Sequence, residues 1–86
     1  MEEVVRTVRG MILSGRSLTA VVTYLRGQAH VPFTAFNLLR ILQDSVGVPL
    51  TEARSLLELF DREMNLVADR GTADKAGEQV LGPYRS

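Results

Sequence analysis

The chain has 86 residues, a formal net charge of zero and no cysteine. That length holds one domain, which buries only about 60% of its unfolded surface. The missing thiols exclude a disulfide framework, thiolate catalysis and cysteine metal ligation. No run approaches the roughly 18 apolar residues of a membrane span. Met1–Gly10, with Glu2, Glu3, Arg6 and Arg9, has neither the basic start nor the apolar core of a secretory signal, so a cytoplasmic protein is expected.

Charge is unevenly placed. Residues 1–43 hold five arginines against Glu2 and Glu3, a net of +3, whereas residues 44–86 carry a net of −3. Opposite ends of one small fold then attract weakly, or polar surfaces meet head to tail. The nine arginines to one lysine (Lys75) fit GC-rich coding better than nucleic-acid contact.

The pattern predicts an all-α fold: a compact antiparallel four-helix domain over 1–70 with a disordered tail over 71–86. Val4, Val8, Met11 and Ile12 recur at helical spacing and predict a first helix over about 2–14, closed at Gly15. Ser17 caps a second over about 18–28, with Leu18, Val21, Val22 and Leu25 inward. The β-branched run Val21-Val-Thr-Tyr24 also suits a strand, but its spacing and the short flanking turns favour helix. Pro32, placed at a first turn, opens a third helix over about 32–46. Phe33, Ala35, Phe36, Leu38, Leu39, Ile41 and Leu42 leave it only a narrow polar line at Asn37, Arg40 and Asp44. A helix apolar nearly all round belongs at the centre of a fold.

Gly47, Val48 and Pro49 break the chain, and Thr51 caps a fourth helix over about 51–70. Ala53, Leu56, Leu57, Phe60, Met64 and Val67 form its inner stripe. Arg54, Glu58 and Arg62 line its solvated side, and Gly71 ends it. From Gly71 onward the sequence GTADKAGEQVLGPYRS has few large apolar groups and no evident period, the composition of a tail. Within it, Val80, Leu81, Pro83 and Tyr84 suit a short docking motif. The openings Ser17-Leu-Thr-Ala, Pro32-Phe-Thr-Ala and Pro49-Leu-Thr-Glu repeat one helix-start chemistry, at spacings too short for a solenoid.

Catalytic chemistry finds little footing. His30, the single histidine, sits in a loop with no acidic neighbour in sequence, and no set of metal ligands surrounds it. Asp61 and Glu63 point apart if helical, and Glu58 with Asp61 lies among arginines. Neither GxGxxG nor GxxxxGK occurs, so no cofactor is expected.

Residues 38–57, LLRILQDSVGVPLTEARSLL, have the outline of a helix-turn-helix motif, with Leu42, Val46, Val48, Ala53 and Leu56 at its packing positions. Gln43 occupies a place usually held by a small residue. The would-be recognition helix presents Glu52 and Glu58 beside Arg54, where phosphate binding needs a basic face. Gly47-Val-Pro-Leu50-Thr-Glu52-Ala53-Arg54-Ser-Leu56-Leu57-Glu58 also resembles the helical hairpin in the C-terminal domain of the ribosomal stalk protein family. That resemblance covers about 20 of the 86 residues and implies a tight helical hairpin, with no functional residues carried over.

Apolar surface beyond what four short helices can cover marks an interface. Tyr24, Phe33, Phe36, Leu59 and Met64 are its candidate residues, aromatic and Met side chains being enriched at interface cores. The expected function is a non-enzymatic protein–protein interaction module (adaptor, inhibitor or antitoxin- or immunity-type protein) that binds a partner or forms a homodimer. A helix-turn-helix DNA-binding regulator and a structural self-assembling subunit are the alternatives.

Overall fold

The computed structural model describes residues 1–85. Helix α1, Glu2–Leu13, forms where expected: Val4, Val8 and Ile12 are buried along one stripe, and Glu2 and Glu3 sit at its positive N-terminal end. It closes in a Schellman turn, with the Arg16 amide donating to the Met11 carbonyl at 2.9 Å and the Gly15 amide to the Ile12 carbonyl at 3.1 Å. Helix α2, Leu18–Arg26, is capped by Ser17, whose hydroxyl accepts from the Ala20 amide at 3.2 Å. The β-branched run at Val21 is thus helical.

Helix α3, Ala35–Val46, begins later than Pro32. Thr34 is the cap: its hydroxyl accepts from the Asn37 amide at 3.1 Å, while the Asn37 side chain donates back to the Pro32 carbonyl at 2.9 Å. A hydroxyl cap outranks the φ preference of proline in setting this start. Leu38, Ile41 and Leu42 are buried, and α3 packs along α1 more extensively than any other pair of elements. At Gly47, φ is +84°, a left-handed turn that suits glycine and swings Val48 into the core.

The predicted fourth helix over 51–70 does not exist as one element. Helix α4, Leu50–Ala53, starts after Pro49 rather than after a Thr51 cap, and runs into a tighter 3-10 segment, Arg54–Leu59. Phe60 is then extended and pairs with Leu66 in an isolated antiparallel bridge, the one strand-like pairing among the described residues. Asp61 causes the break. Its carboxylate accepts from the Glu63 amide at 3.0 Å and the Asn65 amide at 2.8 Å, and Met64 adopts φ +61°. Such side-chain-to-backbone bonds compete directly with helix. The fold-back buries Leu59, Phe60 and Met64 together.

The expected disordered tail is instead helix α5, Arg70–Leu81, followed by a 3-10 turn, Gly82–Tyr84. Asp69 caps it, accepting from the Thr72 amide and hydroxyl. Ala73, Gly77, Val80 and Leu81 form its buried stripe, which lies on α2. Gly71, read from sequence as a helix terminator, lies in its first turn. The two helices are also joined by Asp74, whose carboxylate accepts from the Thr19 amide at 2.9 Å and the Thr19 hydroxyl at 3.1 Å. A residue of α5 thus helps satisfy the orphan amides that begin α2.

Arg85 ties the C-terminus to the far end of the chain. It donates to the Ile12 and Arg16 carbonyls, each at 2.8 Å, and pairs with Glu78. The hydrogen bond from Arg85 is the main reason the Glu78 carboxyl is held below its ordinary value of 4.5. A carboxyl whose folded pKa is depressed adds stability above its unfolded pKa and loses it as pH falls through the folded one. Urea unfolding of the wild type and of Glu78→Gln, followed from neutral pH to below pH 4.5, is expected to converge as the solution is acidified. A gap that stays constant with pH contradicts the assignment.

Candidate functional site

Of the five predicted interface residues, the structure leaves one fully on the surface. Phe36 is 69% exposed, the highest value among the large apolar side chains that face solvent. It lies on the outer side of α3, while the inner side of that helix is committed to the core. Leu50, at the start of α4 and 46% exposed, lies across from it. Together with Leu39, Arg40, Gln43 and Asp44 they line a shallow groove of about 410 Å³. Its floor is apolar, and its rim carries one cation and one anion, Arg40 and Asp44, with Nε and Oδ2 3.6 Å apart.

The other four residues lie elsewhere. Leu59 and Met64 are buried, carried inward by the turn at Asp61. Phe33 is half-buried and meets Phe60 edge to face, with ring centroids 5.7 Å apart. The Arg26 guanidinium stacks over the Phe33 ring at 5.0 Å and donates to the Met64 carbonyl. Phe33 and Met64 therefore share a second cleft of about 400 Å³, edged by Asp61, Arg62 and Glu63. Its aromatic wall is already satisfied from within the chain. Tyr24, half-buried, lines a smaller cleft of about 320 Å³ with Met1, Glu3, Gln28 and His30. Phe36 stands in a different cleft from Phe33, Met64 and Tyr24.

Leu50 and Leu39 were not singled out from the sequence. The available signal was Pro49: a proline preceding a short helix leaves the next side chain at the helix mouth, beside the preceding turn. The polar line expected at Asn37, Arg40 and Asp44 holds at Arg40 and Asp44 and is wider than expected. Arg40, Gln43 and Asp44 are exposed with Phe36 among them, and Asn37 is partly covered.

Among the described residues no three His, Asp or Glu groups converge on a possible metal position. No helix among them is long and apolar enough to cross a membrane. Comparison with protein-family models, known proteins and solved structures gave no match.

Proposed function

We propose that this chain is a non-enzymatic protein–protein interaction module whose docking surface is the groove between α3 and α4. The observation that carries the reading is Phe36, a large aromatic ring held 69% in solvent on a rigid helix directly above the core. Covering that ring would remove apolar surface from water, and a central aromatic with an apolar floor and charged rim is the usual anatomy of an interface hot spot. Leu50 and Leu39 supply the floor, and Arg40, Gln43 and Asp44 the rim.

The regulator reading draws less support. The segment after Gly47 has one four-residue α-helix and then a 3-10 stretch, rather than an α-helix of two or more turns to lie in a major groove. Its exposed polar side chains are Thr51, Glu52, Arg54, Ser55 and Glu58, with more carboxylate than cation.

The test is affinity capture from the native host with and without nuclease, using the wild type, Phe36→Asp and Val67→Asp. Val67 is almost as exposed as Phe36 but lies outside the groove, so it serves as the control. A protein partner retained after nuclease, lost with Phe36→Asp and kept with Val67→Asp, is the expected result. Nucleic acid recovered without any protein partner contradicts the proposal.

A further inference from the structure

We infer that the occupant of the α3–α4 groove is a second copy of this chain, docked antiparallel about a two-fold axis that runs outside α3, perpendicular to it and level with the midpoint between Arg40 and Asp44. The inference rests on the groove being a docking surface, as proposed above, and names what docks there. Arg40 and Asp44 lie one helical turn apart on the same exposed side of α3, and each side chain is about half exposed, at 58% and 47%. A two-fold axis in front of that side, level with their midpoint, sets each of the two opposite the other in the second copy. Arg40 of one copy then faces Asp44 of the other, and the contact occurs twice.

An acidic partner meets Asp44 at this rim, and a basic partner meets Arg40. A second copy in the antiparallel register meets neither mismatch. The chain's zero net charge removes long-range repulsion between copies as well. The intrachain Arg40–Asp44 contact, exposed and 3.6 Å long, holds its side chains only weakly, so exchange for an intermolecular pair costs little.

The same axis seats the apolar groups. Phe36 lies one turn before Arg40 on α3. In the antiparallel register it reaches one turn beyond Asp44 of the second copy, where α3 ends at Gly47 and the chain turns toward Leu50. Each ring is covered at an end of the opposite groove, and the two grooves are used symmetrically. Because α3 is only about 18 Å long, the buried area falls at the small end of the range for specific interfaces. A small contact suits a reversible dimer, so association is sought over a wide concentration range.

Sedimentation velocity of the full chain over a micromolar-to-millimolar series tests this, with Arg40→Glu, Asp44→Arg, their equimolar mixture, the double variant Arg40→Glu/Asp44→Arg, and Phe36→Asp. All these positions are exposed, and circular dichroism checks each fold. The wild type is expected to dimerise. Each single charge reversal sets like charges together twice and is expected to weaken dimerisation at least about tenfold. Mixing the two single variants restores opposite charges at both contacts and is expected to recover dimer, as is the double variant. Phe36→Asp is expected to leave monomer. A wild type that stays monomeric to millimolar concentration overturns the second copy as occupant, while the groove itself stands or falls on the capture experiment. Dimerisation unaffected by the charge exchanges overturns the register. Dimerisation unaffected by Phe36→Asp overturns the groove as the surface.

Discussion

Replacing Gly77 with alanine is expected to destabilise the protein by about 1–3 kcal/mol, the usual range for overpacking. In an isolated helix the same change stabilises by about 0.8–1.0 kcal/mol. The sign differs because α5 lies directly on α2. A Cβ at position 77 falls 2.5 Å from Leu18 Cβ and 3.1 Å from its Cδ2. Leu18 is almost fully buried, and its Cβ is fixed to the α2 backbone, so a rotamer change cannot relieve the contact. The helices have to part. Gly10→Ala is the internal control. It lies within α1 with nothing within 4 Å of an added Cβ, so stabilisation by up to about 1 kcal/mol is expected. Urea unfolding of both variants measures the two signs. Stabilisation by Gly77→Ala would show that residues 70–81 are not packed on α2.

Leu42→Ala is expected to cost about 2–5 kcal/mol, the range for truncating a fully buried leucine. Leu42 is completely buried on the side of α3 that packs along α1. A chain of this size has a total stability of only about 5–15 kcal/mol, so the unfolding midpoint is expected to fall by about 8–40 °C, at about 4–8 °C per kcal/mol lost. Phe36→Ala, six residues earlier on the same helix, removes a larger side chain. At its exposure the change is expected to stay within about 0.5 kcal/mol. The pair separates core from surface on one element. Equal losses in the two variants would contradict the orientation assigned to α3.

The all-helical architecture and the first three helices are legible in the residues. Val4, Val8 and Ile12 repeat at one helical turn, and Ser17 and Gly15 punctuate the chain with cap chemistry that acts locally. The start of α3 shifts by three residues because Thr34 competes with Pro32 for the cap. The two larger departures have different causes. Leu56, Phe60 and Met64 keep a helical period by sequence alone, but Asp61 offers the backbone a local turn. The tertiary fold then buries Leu59 as well, which a straight helix with that stripe would leave on its flank. Helix α5 is hidden by size. Ala73, Gly77, Val80 and Leu81 have helical spacing, but two of the four carry almost no apolar bulk, so composition reads as tail. They are small because α2 lies so close. Asp69 and Thr72 held the readable sign of its start, an Asp cap.

For the candidate site, Phe36 was recognisable as a ring on an over-apolar helix, although the sequence does not tell which side of α3 faces α1. Leu59 is a candidate because an uninterrupted helix over 51–70 leaves it off the main apolar stripe, and Met64 because methionine is enriched at interface cores. The turn at Asp61 takes them into the core.

The most direct measurement of the docking surface is a ¹⁵N–¹H correlation spectrum of the full chain, recorded along a dilution series and again on addition of any captured partner. Amide shifts are expected to change at Phe36, Leu39, Arg40, Gln43, Asp44 and Leu50 and to stay fixed around Tyr24, His30 and Val67. Changes centred on the cleft of Tyr24 and His30, or on the aromatic pair Phe33 and Phe60, with the α3–α4 groove silent, would contradict that docking surface.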